Sequence, residues 1–223
     1  MTQLVVSEVF GPTVQGEGPS LGRRTGFVRL GRCNLACSWC DTAYTWDWSR
    51  YDPAVELKRV DVADVVAQVE AMDVPMVVVT GGEPMLQQSA LIDLVAALKP
   101  RRIEVETAGT VAPRSELVAL VDQWNVSPKL ANSGNPLDRR HKRDVLRAFA
   151  DTGNAVFKFV AESAADLDEI ASFGVEPVWV MPQGTTPEAV REGLARLADE
   201  VIARGWNLTT RLHVEVWGDK RGV

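Results

Sequence analysis

The stretch Pro75-Met76-Val77-Val78-Val79-Thr80-Gly81-Gly82-Glu83-Pro84 decides how the rest of the chain is read. A continuous apolar run bounded by turn residues reads as a strand buried on both faces, the kind found in parallel sheets. Two glycines directly after it let a ligand approach the backbone, and Glu83 is an acceptor for an ammonium group. Outward from this strand, helices and strands alternate. Upstream, residues 62–72 have helical periodicity, with Val62, Val65, Val66 and Val69 on one face. Downstream, helices are expected over 87–98, 115–121, 139–150, 164–172 and 187–204. Strands are expected over 102–107, 124–127, 155–160, 177–181 and 208–216. Two further strands, 4–10 and 26–31, precede them. About six α/β alternations imply a parallel sheet with right-handed crossovers, as a barrel or curved partial barrel with ligands at the carboxyl ends of the strands. No linker or charge block divides residues 1–223, so one domain is expected.

The totals narrow the function classes. A net charge of -6 over 223 residues argues against a general nucleic-acid binder. No run reaches the length of a membrane span, and the first residues lack a basic region followed by an apolar one. The expected setting is the cytoplasm, with no membrane and no nucleic-acid partner.

Upstream of the glycines lies Cys33-Asn34-Leu35-Ala36-Cys37-Ser38-Trp39-Cys40, which holds all 3 cysteines of the chain. An odd cluster is no disulfide framework. A zinc site needs a fourth ligand, and the two histidines, His141 and His213, are distant in sequence. An electron-transfer cluster ordinarily uses four cysteines. Three cysteines, with Trp39 beside the last, fit an iron–sulfur cluster that keeps one iron open.

CNLACSWC followed by GGEP resembles the radical S-adenosylmethionine superfamily. There, three cysteines hold a [4Fe–4S] cluster, and S-adenosylmethionine chelates the fourth iron. FGPTVQGEG, GFVRLGRCNLAC, CDTAYTW, TGGEP, EVETAGT, VSPK and the late histidine are similar, along nearly the whole chain, to one family within it: the 7-carboxy-7-deazaguanine synthases. The resemblance implies a modified, abbreviated (βα)6 TIM-like partial barrel. It implies a lyase that contracts the ring of 6-carboxy-5,6,7,8-tetrahydropterin with loss of ammonia, in queuosine and 7-deazapurine biosynthesis. The implied cofactors are the [4Fe–4S] cluster, S-adenosylmethionine and Mg2+. The implied partners are a flavodoxin or ferredoxin as electron donor and a second copy in a homodimer.

Residue by residue, the resemblance makes Cys33, Cys37 and Cys40 the cluster ligands. It puts Trp39, Cys40, Asp41, Gly82, Glu83, Ser127, Pro128 and Lys129 along S-adenosylmethionine, and Thr42 on magnesium, for which a hydroxyl is a suitable hard donor. Val14, Gln15, Gly16 and Glu17 match a pterin-binding loop, where an amide and a carboxylate read a guanidine-like edge. Arg29 matches the partner of the substrate carboxylate. Thr80, Glu106 and His213 match further substrate contacts. Glu17, Glu106 and His213 are the candidates for proton transfer. Lys158, Phe159 and Gln183 are looser candidates for the adenosine side, and His141 reads as solvent-exposed on a basic helical face. Two other readings share the cysteines: a glycyl-radical-enzyme activating protein, which needs no pterin loop, and a non-catalytic metal-binding module.

Overall fold

The computed structural model describes residues 2–223. Nine strands form one sheet: β1 (Gln3–Val14), β2 (Arg24–Leu30), β3 (Lys58–Asp61), β4 (Met76–Gly81), β5 (Arg102–Thr107), β6 (Gln123–Val126), β7 (Ala155–Ala161), β8 (Val178–Pro182) and β9 (Asn207–Leu208). The helices are α1 (Pro53–Glu56), α2 (Val62–Glu70), α3 (Gln88–Leu98), α4 (Ser115–Val118), α5 (Leu137–Arg140), α6 (Arg143–Ala150), α7 (Ala164–Phe173), α8 (Pro187–Ala203) and α9 (Leu212–Trp217). The spatial order is β3-β1-β2-β4-β5-β6-β7-β8-β9. From β2 onward every neighbour is parallel, while β1 runs antiparallel to both β2 and β3.

Alternation along each strand sorts the side chains onto two faces. Val77 and Val79 of β4, Ile103 and Val105 of β5, Trp124 and Val126 of β6, and Phe157 and Phe159 of β7 pack outward. They meet helix residues such as Val65, Leu91, Leu94, Phe149 and Leu197 in one continuous core. The residues between them point inward. Phe27, Met76 and Val78 close the bottom of the inner face. Beside them Glu104 accepts from Ser20 (2.5 Å), Asn125 (3.0 Å) and Arg102 (2.9 Å), so the buried carboxylate is satisfied. Higher up the same face stand Arg29, Thr80, Glu106 and Lys158. One cavity touches β1 at Phe10 and reaches Arg211 beyond β9, so the sheet wraps around it.

The structure alters several expectations. The parallel strands number seven, because β2 pairs parallel with β4 and so joins the six strands of the six alternations. The edge strand β3 was not foreseen, since Lys58 and Arg59 break any apolar pattern. Residues 139–150 form two helices, broken at His141 and Lys142. His141 is half-buried rather than free in solvent, its ring stacked on Phe173 at 4.2 Å. Residues 208–216 contain only the end of a strand. The alternating RLHVEV run is helical, buries Val214, leaves Val216 exposed, and is tied down where Leu212 N–H donates to Gly16 O (2.8 Å).

Candidate active site

The cavity lies at the carboxyl ends of the parallel strands and has two poles. At the first, the loop after β2 carries the cysteines. Gly82 N–H donates to Leu30 O (3.0 Å) and Glu83 N–H to Arg32 O (2.8 Å), extending the β2–β4 ladder to the residue before Cys33. This explains the glycines in a way the sequence did not. A Cβ on Gly82 would stand 2.0 Å from Arg32 O, and one on Gly81, at φ +140°, 2.2 Å from Leu30 O. The close approach is backbone to backbone.

The far side of the loop leans on the segment between β6 and α5. Ser38 N–H donates to Ser133 O (3.0 Å), Ala36 N–H to Asn135 Oδ1 (2.9 Å), and the Trp39 indole to Asn132 O (3.1 Å). Each sulfur receives an N–H: Leu35 to Cys33 (3.4 Å), Asn135 Nδ2 to Cys37 (3.3 Å), Trp46 Nε1 to Cys40 (3.3 Å). Such donors stabilise thiolate charge on a cluster. Burial pushes the Cys33 thiol up to about 12, and binding of a metal centre would release its proton. All three cysteines border the cavity. Among the described residues no three His, Cys, Asp or Glu side chains close around a single metal-ion position. A multi-iron cluster spreads its ligands over separate irons.

Glu83 departs from its expected role. Its side chain is fully buried outside the cavity lining, and accepts from Met85 N–H (3.0 Å), Thr107 Oγ1 (2.8 Å) and Ala108 N–H (2.8 Å). It braces the ends of β4 and β5 and offers nothing to a ligand ammonium. Pro128 is likewise buried behind the lining, while Ser127 and Lys129 face the cavity, joined by a 2.9 Å hydrogen bond. The Lys129 ammonium lies 5.7 Å from the centre of the Trp39 ring. Trp39, Asp41, Gly82 and Gln183 border the same space, whereas Phe159 belongs to the core. Thr42 also borders it, with Oγ1 3.6 Å from the Cys40 sulfur.

The second pole is a buried charge network. Gln15 Nε2 donates to Glu106 Oε1 (3.1 Å), and Thr80 Oγ1 to Glu106 Oε2 (2.8 Å). Lys158 pairs with Glu17 and stands 3.7 Å from Glu106. Arg211 joins Glu17 (3.3 Å), Asp41 and the carbonyl of Gly184. Burial alone would raise the Glu17 carboxyl, but Lys158, then Arg211 and His213, hold it far below the usual range. Burial likewise opposes the Lys158 ammonium, and Glu17 and Glu106 outweigh it. Burial also lowers His213, favouring the neutral ring. A Cβ on Gly16 would meet His213 Nδ1 at 2.1 Å, so the glycine makes room for the imidazole. Val14 completes this side, and Arg29 borders the cavity with Nε bonded to Glu8 (2.7 Å).

The sequence reading missed Arg211, which holds Glu17 and Asp41 in one grip, and put Lys158 with the adenosine. Period two in FKFV, with Phe157 and Phe159 outward, is the signal that turns Lys158 inward. Arg211 has no local signal, because its partners lie far off in sequence.

The cysteine loop over an open cavity at strand ends defines a class. A family model described as the Radical SAM superfamily matches residues 28–202. A 7-carboxy-7-deazaguanine synthase of Pyrobaculum aerophilum is 39% identical over 226 residues, covering 97% of this chain and 96% of that protein. One from Bacillus subtilis is 37% identical over 242 residues, covering 98% of each. The crystal structure of QueE from Escherichia coli superposes with a TM-score of 0.71 at 26% identity, covering 96% of each chain. The chain belongs to the radical SAM superfamily, and within it to the 7-carboxy-7-deazaguanine synthases.

Proposed function

We propose that the protein converts 6-carboxy-5,6,7,8-tetrahydropterin to 7-carboxy-7-deazaguanine with loss of ammonia, a carbon–nitrogen lyase step of queuosine and 7-deazapurine biosynthesis. The observation that carries this reading is the single cavity that joins the cysteine loop to the Gln15–Glu17–Glu106–Lys158 network. When bound, the [4Fe–4S] cluster and S-adenosylmethionine supply radical hydrogen abstraction. The chain's own residues hold, orient and exclude water.

Cys33, Cys37 and Cys40 would hold the cluster, and Trp39, Asp41, Gly82, Ser127 and Lys129 would line the space for S-adenosylmethionine. Gln15 and Glu17 read the amino-pyrimidinone edge of the pterin, with the carboxylate of Glu17 kept ionised by Lys158 and Arg211. Arg29 binds the substrate carboxylate through the nitrogens that Glu8 leaves free. Thr80, Glu106 and His213 complete the pocket, and the neutral imidazole is a proton acceptor for the elimination. Thr42 supplies a hydroxyl to Mg2+. Substrate and product differ by one ammonia, so the overall reaction needs no net oxidant. Buried, charged side chains around the substrate end suit a small polar molecule better than the protein backbone that a glycyl-radical-enzyme activator takes.

The protein acts as a single-domain subunit of a homodimer, in the cytoplasm, reduced by a flavodoxin or ferredoxin. No described helix is long and apolar enough to cross a membrane. Anaerobic reconstitution, then incubation with substrate, S-adenosylmethionine, Mg2+ and dithionite, tests the reading by mass analysis. Product lighter than substrate by one ammonia is expected. Cleavage of S-adenosylmethionine with an unchanged pterin overturns it.

A further inference from the structure

The basic stretch Leu137-Asp138-Arg139-Arg140-His141-Lys142-Arg143-Asp144, with Arg147 a turn later, has no part in the site above. Five cations face two carboxylates there, in a chain whose net charge is -6. Arg140 turns inward to Glu169, Asn135 O (3.1 Å) and Lys129 O (3.0 Å). Arg139, Lys142, Arg143 and Arg147 are exposed, and among the described residues none is in an ion pair.

The helix dipole favours Arg139 and Arg147, which lie in last turns, but not Lys142 and Arg143. Lys142 caps α6 and Arg143 opens it, at the end whose dipole repels cations. Arg143 and Arg147 are a like-charged i,i+4 pair, which weakens a helix. Their position is informative. Arg139 donates to Asn34 O (2.8 Å) inside the cysteine loop, and Asn135, four residues before it, holds both Ala36 N–H and the Cys37 sulfur. Ala36 and Ser38, on either side of Cys37, are exposed. Arg139 therefore stands against the cysteine loop beside its exposed edge, and the exposed Lys142, Arg143 and Arg147 follow it in the chain, none of them lining the cavity.

We propose that this face of α5 and α6 docks an acidic one-electron carrier protein, which delivers its electron to the cluster through the Ala36–Ser38 edge. The inference rests on the radical reading above, which needs an electron from outside the chain. The carrier is oxidised by one electron and the cluster reduced by one, with no bond made or broken. Uncompensated surface cations raise the rate of encounter with an acidic partner and make it sensitive to salt.

The test is the variant Lys142→Glu/Arg143→Glu/Arg147→Glu, with Arg139 left to hold Asn34. Binding of each oxidised carrier is measured by titration calorimetry, and turnover is measured with dithionite and separately with reduced flavodoxin and with reduced ferredoxin over a range of carrier and salt concentrations. The dithionite rate should stay within twofold of the unmodified protein's. The half-saturating concentration of the effective carrier should rise about tenfold or more, and its salt dependence should flatten. Unchanged carrier and salt dependence overturns the proposal. So does failure of both carriers to support the unmodified protein while dithionite does. Loss of RNA binding with unchanged carrier kinetics would assign the face to nucleic acid and also overturn it. No turnover with dithionite in the unmodified protein is a different failure, that of the function itself. Glutamates at the start of α6 favour the helix, and a thermal melt of the variant confirms folding.

Discussion

Lys158 of β7 and Glu17 of the loop after β1 form a buried ion pair across the cavity, with Glu106 3.7 Å from the same ammonium. Removing the cation leaves Glu17 to Arg211 alone and leaves Glu106 with only the hydrogen bonds from Gln15 and Thr80, both carboxylates being largely shielded from water. Breaking a buried pair from one side costs about 3–5 kcal/mol. Lys158→Met should lower unfolding free energy by about 3 kcal/mol in urea titrations, and Glu17→Gln in the same background should restore part of it. The pH dependence has a defined sign. Glu17 is depressed below 4.5, so its contribution is present above that value and is lost as pH falls below it. The acid limb of the stability profile should flatten in Glu17→Gln. A loss under about 1 kcal/mol in Lys158→Met would contradict a buried pair.

Gly82 faces a fixed obstacle. An added Cβ meets the Arg32 carbonyl at 2.0 Å, and a backbone oxygen cannot swing aside. Gly82→Ala should push the β2–β4 ladder apart just where it delivers Cys33. The expected result is iron content after reconstitution well below the roughly four irons per chain of the unmodified protein. Full iron loading in the variant would show that the ladder does not position the cysteines.

Trp46 donates to the Cys40 sulfur at 3.3 Å. N–H bonds to cluster sulfurs favour the more negative, reduced state. Trp46→Phe keeps the ring and removes the donor, so iron content should hold while the cluster potential moves to more negative values in a redox titration followed by electron paramagnetic resonance. An unmoved potential would show that this hydrogen bond is absent in the loaded protein.

The parts of this arrangement legible in sequence were those with a period or fixed local spacing. The strand expected over RIEVET, 102–107, is found at those residues, and the structure turns its Ile103 and Val105 into the helix-covered core. CxxxCxxC lies at the end of β2 and GGEP at the end of β4, as parallel strands require. What local spacing did not announce is that the glycines and Glu83 also answer to the neighbouring chain. Gly82 yields to Arg32, and Glu83 is consumed by Thr107 and Ala108. His213 shows the limit of periodicity. RLHVEV alternates well enough for a strand, but pairing with β8 stops after Asn207 and Leu208, and the chain turns into α9. Arg211 and Lys158 matter through charges that only the closed sheet brings near.

Thr42 borders the cavity two residues after Cys40, with its hydroxyl committed only to a 3.6 Å contact with that sulfur. Thr42→Ala should weaken the stimulation of turnover by Mg2+ several-fold while iron content stays constant. Unchanged dependence on Mg2+ would remove Thr42 from that role.

In the proposed function one cavity holds two separable poles, a cysteine loop that serves the cofactor and a polar end that serves the substrate. The most direct measurement is the paired yield of 5′-deoxyadenosine and 7-carboxy-7-deazaguanine from Gln15→Leu/Arg29→Met, reconstituted anaerobically and supplied with dithionite. Full iron loading, continued formation of 5′-deoxyadenosine, and a loss of deazaguanine product of about 100-fold or more are expected, the scale seen when groups that orient a substrate are removed. Product at the unmodified rate, or loss of the cluster together with the product, would contradict it.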